Sequence, residues 1–252
     1  MAEHPRARGD LAIAAIAAVV AISVVLACAA VVVAGMSARP VAPVDGDQTR
    51  VVTPIGPVAK VVDPKSNGLR AAASWVEATN AKYGIGIVAV QAYGDASLRL
   101  RHERPSCHLG WTTLAGIGGI ESGHGTNSQA YVQPDGTTSH PILGPALDGT
   151  SGMASIRSDA ESTNWHGDPT WDHAVGPMQF IPSTWRKWGA DGNGDGVANP
   201  NNIHDASYAA GLYLCASGGD MRTDSGWSKA VFSYNHSDDY VRSVLNRANQ
   251  YN

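Results

Sequence analysis

Glu121 is the residue of this chain whose surroundings most suggest chemistry. It lies in WTTLAGIGGIESGHG over 111–125, an apolar, small-residue run that carries one carboxylate and then breaks at Ser122, Gly123, His124 and Gly125. Trp111, Leu114, Ala115 and Ile117/Gly118 recur at helical spacing, which predicts a buried helix with Glu121 at its C-terminal end. The helix dipole is negative there, so a carboxylate is poorly placed. The nearest Lys or Arg upstream is Arg104, and the next downstream is Arg157. A carboxylate in such company has a raised pKa and stays protonated near neutral pH. That is the state needed to protonate a leaving-group oxygen. The same residue also reads as a solvated or capping Glu, and both readings fit the local sequence.

Three further stretches carry candidate residues. In GPMQFIPSTW over 176–185, Gln179 can present an amide to a ligand and Pro182 starts a helix cleanly; taken alone, the stretch is a loop-to-helix junction with a buried Gln. DGNGDGV over 191–197 matches the first half of a calcium loop. Oxygen side chains stand at positions 1, 3 and 5 (Asp191, Asn193, Asp195), Gly at 6, and a backbone carbonyl, that of Val197, at 7. The usual Glu at position 12 is replaced by Asn202; Asp205 is placed to close the site, and Asn199 to bind directly or through water. The competing reading is a run of Asx turns without metal. In FSYNHSDDYV over 232–241, Tyr234 and Asn235 fall at a helix end, where polar tips reach a cleft or where Asn simply stops the helix. His124, His173, His204 and His236 have no zinc-ligand spacing, and Ser122 beside His124 is no nucleophilic triad.

These residues need a scaffold, and the pattern supplies one. Helices are expected over 69–82 (capped by Ser66 or Asn67), 87–102, 111–121, from Pro182 to Trp185, and over 205–217, 225–234 and 238–249. Residues 126–174 change character, with many Gly, Pro, Ser, Thr and Asp, a β-like piece over 129–133 and turn signals; they read as a loop or hairpin insertion bordering a cleft. The expected fold is a mainly α, single globular domain over 66–252 with a small β-containing insertion. Residues 11–38 contain no charge and exceed the roughly 20 residues that span a bilayer. Arg6 and Arg8 precede them, favouring a cytoplasmic segment 1–10 and an uncleaved transmembrane anchor. Residues 39–65, rich in Pro, Val and Asp, then form an extended linker. Outside the span the chain has only Cys107 and Cys215, an even pair in an oxidising compartment, which predicts a disulfide. The net charge is −4, with fourteen acidic against seven basic residues from Glu121 onward and no basic run, so nucleic acid is not an expected partner.

In order and spacing, GIESGHG, AVGPMQFIPSTW, DGNGDGVANPNNIHDA and FSYNHSDDYV resemble the lytic murein transglycosylases, more narrowly their B-type, actinobacterial membrane-anchored branch. The resemblance covers about 66–249 and implies a lysozyme-like, mainly α fold around a glycan groove. It implies Glu121 as the single catalytic residue, with Ser122, Gln179, Tyr234 and Asn235 binding substrate. It also implies a structural Ca2+ held by Asp191, Asn193, Asp195, the Val197 carbonyl and Asp205, with no organic cofactor. The expected substrate is peptidoglycan glycan strands, cleaved between N-acetylmuramic acid and N-acetylglucosamine without water. Glu121 would act as acid and then as base, making the enzyme a carbon–oxygen lyase. A hydrolytic muramidase and a non-catalytic peptidoglycan-binding or scaffold module are the alternatives. The expected location is the cell membrane, single-pass, with the domain on the wall side. Proteins of wall synthesis or division are candidate partners.

Overall fold

A computed structural model describes residues 58–60, 69–150 and 153–251. The expected membrane span over 11–38, most of the linker over 39–65 and the cap at Ser66 or Asn67 lie outside those residues. Among the described residues, no helix is long and apolar enough to cross a membrane.

Eight helices and four short strands are described. They are β1 (Val58–Lys60), β2 (Leu69–Ala71), α1 (Ala73–Tyr83), α2 (Ile87–Glu103), α3 (Trp111–Ser122), β3 (Leu143–Ala146), α4 (Ala160–His166), β4 (His173–Val175), α5 (Pro182–Trp188), α6 (Ile203–Gly218), α7 (Asp224–Tyr234) and α8 (Asp238–Asn249). The centre is α3. Every residue from Trp111 to Gly118 is buried, as expected of a helix apolar all round. It packs chiefly against α8, and also touches α2 and α6. α8 is the opposite kind of helix: Tyr240, Val241, Val244, Leu245 and Ala248 form one buried stripe on an otherwise charged surface. The two approach closely at Gly116, where a Cβ would come within 3.0 Å of the Val244 carbonyl. α2 lies along α6, and α7 bridges α6 and α8.

The expected disulfide is present. Cys107 and Cys215 are bonded across a sequence separation of 108, with 5.3 Å between Cα atoms. The bond ties the approach to α3 onto α6. Closing a loop of that size contributes up to roughly 4–5 kcal/mol in the chain-entropy account.

The first helix starts later than expected, at Ala73, because 69–71 form β2. β2 pairs antiparallel with β1, with Val58 opposite Ala71, so the expected linker is in register with the domain at 58–60. Asp95 on α2 fixes this corner. Its carboxylate accepts the Ala71 N–H at 2.8 Å and pairs with Arg70, while Gln91 donates to the Ala71 carbonyl. The insertion also differs from expectation. Within 129–133 only Val132 makes a β-bridge, to Thr138. Antiparallel β3 and β4 supply the sheet, and a helix, α4, interrupts the loop. Asp159 caps α4 by accepting from Glu161 and Ser162, with the Ser162 hydroxyl returning to the Asp159 N–H. Leu147, Ala174 and Ile181 give this lobe a small core of its own.

Candidate active site

α3 delivers Glu121 at its last turn. The turn closes because Gly123 takes the left-handed conformation (φ 58°), and the Gly123 and His124 N–H groups return to the Gly119 and Gly118 carbonyls. Glu121 is half-buried. Removal from water pushes its pKa up to about 7, and a hydrogen bond from Tyr240 opposes this in part. The Tyr240 hydroxyl donates to Glu121 Oε1 at 2.5 Å. Tyr240 is buried on the α3-facing stripe of α8. Tyr234, the last residue of α7, is near enough for the Glu121 charge to raise its own pKa, after burial. The site is thus a poorly hydrated carboxyl group with two neutral phenols beside it. Its pKa lets it serve as acid and as base near neutral pH.

The structure brings together some of the sequence-selected residues. Tyr234 donates its hydroxyl to the Met178 carbonyl at 2.7 Å, which fixes α7 to the segment that carries Gln179. Asn235 follows, buried, as the extended residue that ends α7. Gln179 is half-buried with φ at 50°. Its amide nitrogen donates to the Ile142 and Gly176 carbonyls, both at 2.9 Å, so the donor end holds the turn before α5 against the strand lobe. Ser122, expected to bind substrate, makes its hydrogen bonds here to backbone groups. It is fully buried, donates to the Pro177 carbonyl at 2.6 Å and accepts the Gly125 N–H at 2.8 Å.

Nothing local marks Tyr240, except that it lies inside FSYNHSDDYV at a helical-stripe position. The acids of the insertion are mostly committed locally. Asp135 and Asp148 cap turns; Asp159 and Glu161 bind Arg186; Asp168 pairs with His173. Asp172 is buried against His166 at 3.3 Å. Among the described residues, no second carboxylate perturbs Glu121.

The 191–205 loop belongs to the α5–α6 connection. Asp191 accepts from the Gly194 and Gly196 N–H groups, Asn193 from Asp195, and Asp195 from Val197. Asp205 is fully buried at the start of α6. Its two oxygens accept from Gly192, Asn193 and Asn199, bracing both ends of the loop. Burial, with the Asp191 charge as a smaller cause, pushes its pKa up to about 6. Among the described residues, no three His, Cys, Asp or Glu side chains gather to hold a metal, so a metal set here must include the Asn193 amide and backbone carbonyls. A buried carboxylate facing another acid, in an all-oxygen donor set, suits a hard cation such as Ca2+. The loop's exit is bonded to the turn beyond α3, through Asn202 to the Asp135 carbonyl and Ile203 N–H to the Gly136 carbonyl.

Residues 157–232, under a third of the chain, match the family model described as Transglycosylase SLT domain. The match runs from just before α4 into α7 and does not reach Glu121, Tyr234, Asn235 or Tyr240. Two structures of the Escherichia coli lytic transglycosylase Slt35 are also similar, one in complex with bulgecin A and one with calcium. Each is 16% identical and covers 71% of this chain. The matches cover 77% and 78% of those chains, with TM-scores of 0.42 and 0.41, a likeness too loose to carry an argument. No curated protein matches the chain. The domain match supports peptidoglycan lytic transglycosylase activity.

Proposed function

We propose that this chain is a lytic transglycosylase of the B-type, membrane-anchored kind. It cleaves the β-1,4 bond between N-acetylmuramic acid and N-acetylglucosamine in peptidoglycan without adding water. The observation that carries the reading is Glu121, half-buried, protonated up to about pH 7 and bonded to Tyr240, in a chain that also matches a transglycosylase domain. Protonated Glu121 gives its proton to the glycosidic oxygen as the muramic C1–O bond breaks. The substrate's acetamido group supports the positive charge at C1. Glu121, now a carboxylate, takes the proton of the muramic C6 hydroxyl as O6 bonds to C1, leaving a 1,6-anhydro end. One carboxyl group suffices, whereas hydrolytic glycosidases commonly use two. Among the described residues no carboxylate acts on Glu121, which favours the lyase over the hydrolase.

Tyr234, Asn235 and Gln179 line the substrate side in this reading, and Ser122 holds the turn beneath. Asp191, Asn193, Asp195, Asp205 and the Val197 carbonyl would hold Ca2+, which when bound fixes the loop. Residues 11–38 anchor the chain, with the domain on the wall side. The test is digestion of purified sacculi followed by analysis of the released muropeptides. Anhydro-muramic ends, lost in Glu121→Gln, are expected. Reducing ends would transfer the reading to a hydrolytic muramidase. Glycan binding without turnover by the wild type would transfer it to a binding module.

A further inference from the structure

Immediately behind Glu121 the backbone does something costly. His124 adopts φ 63° directly after left-handed Gly123, a conformation that costs a non-glycine residue of order 1 kcal/mol. The conformation sends the imidazole back along α3, where its two nitrogens meet two phenols from different parts of the fold. Nδ1 lies 3.1 Å from the Tyr93 hydroxyl on α2, and Nε2 lies 2.9 Å from the Tyr251 hydroxyl just beyond α8.

α3 is cut to receive this bridge. A Cβ at Gly118 would come within 2.1 Å of the Tyr93 hydroxyl, and one at Gly119 within 3.1 Å of His124 Nε2. The consecutive glycines before Glu121 therefore have a packing reason, apart from helix propensity, which disfavours them. Burial, aided by the Arg247 charge, pushes His124 down to about 4. The ring is thus neutral at physiological pH, with one nitrogen donating and the other accepting. The outer phenol is itself held: Tyr251 stacks on Trp111 and meets Tyr83 edge-on. Tyr93 is fully buried.

We propose that His124, bridging Tyr93 and Tyr251, is a positioning residue for Glu121. It locks the last turn of α3 between α2 and the segment after α8. This inference rests on Glu121 being the catalytic acid. The bridge fixes α3 from behind, and Ser122 fixes it to Pro177 from the side. Glu121 itself keeps contact with Tyr240 on α8, and its charge reaches Tyr234 on α7.

The test removes the two hydroxyls while keeping the rings, with Tyr93→Phe, Tyr251→Phe and the double variant in the full chain. His124→Leu and His124→Gln complete the set, Gln being able to donate and accept as imidazole does. The decisive reading is the titration midpoint of the Glu121 side-chain carbon by NMR, with Glu121→Gln identifying the signal. In wild type it is expected at about 7. Once the turn loosens and admits water it falls toward the ordinary Glu value in the double Phe variant and in His124→Leu, and His124→Gln restores it in part. On sacculi the same variants lose about tenfold in kcat with KM unchanged, as expected when a reacting group is misplaced and binding is not. A midpoint unmoved in the folded double Phe variant overturns the bridge, because a purely structural contact would change melting alone. Absence of turnover in wild type would instead refute the transglycosylase reading, while the titration still decides the positioning role.

Discussion

Removing the Tyr240 hydroxyl tests the electrostatics of the site with little change in packing. In Tyr240→Phe the ring stays on the buried stripe of α8, so Glu121 remains as poorly hydrated as before. What is lost is the hydrogen bond at 2.5 Å to Oε1, which favours the carboxylate. A hydrogen bond to a charged group is worth about 1.5–3 kcal/mol. At 1.36 kcal/mol per pH unit, that moves Glu121 from about 7 to roughly 8–9. The alkaline limb of kcat/KM against pH, measured on soluble glycan strands, should therefore shift upward by about one to two pH units. The plateau rate should fall, because the conjugate base is less well held for the second proton transfer. The upward direction is the critical point. A limb that stays put or moves down would mean that Tyr240 does not stabilise ionised Glu121, and the account of the raised pKa would have to be abandoned.

Other perturbations follow from the same contacts. Glu121→Gln should abolish lysis yet raise stability, with a pH signature. Folded Glu121 titrates near 7 and the unfolded residue near 4.5. The wild type therefore loses stability as pH rises from 4.5 to 7, and the Gln variant does not. The gain should be absent at pH 4, reach roughly 1–3 kcal/mol by pH 8 in urea melts and stay level above; equal gains at both pH values would contradict a raised pKa. Ser122→Ala should destabilise by about 1–3 kcal/mol by leaving the buried Pro177 carbonyl and Gly125 N–H unpaired. Its KM should be unchanged, and a raised KM in folded protein would restore Ser122 as a substrate contact. Cys107→Ala with Cys215→Ala should lower Tm by roughly 10–15 °C, and reductant should do the same to wild type only. Chelator should lower Tm if the 191–205 loop holds Ca2+, and added Ca2+ should restore it; a melt indifferent to both would remove the metal.

The helices were legible because their signals are local. α3 announced itself by apolar residues on every face and a glycine stop, α8 by one apolar stripe. α4 was hidden: seven residues give no period, and its only sign is the cap at Asp159. Strand β2 is hidden because three residues, Leu69, Arg70 and Ala71, alternate too briefly to stand out from the helical pattern that follows; what fixes them is Asp95, more than twenty positions away on α2. The same division runs through the site. Glu121 was visible as an isolated carboxylate in apolar sequence. The residue that bonds to it, Tyr240, was not visible, since α7 and α8 must first fold back onto α3. Gly118 and Gly119 looked like generic small-residue packing. Only the fold relates them to Tyr93 and His124, so part of what holds the acid in place is written in residues that have no side chain at all.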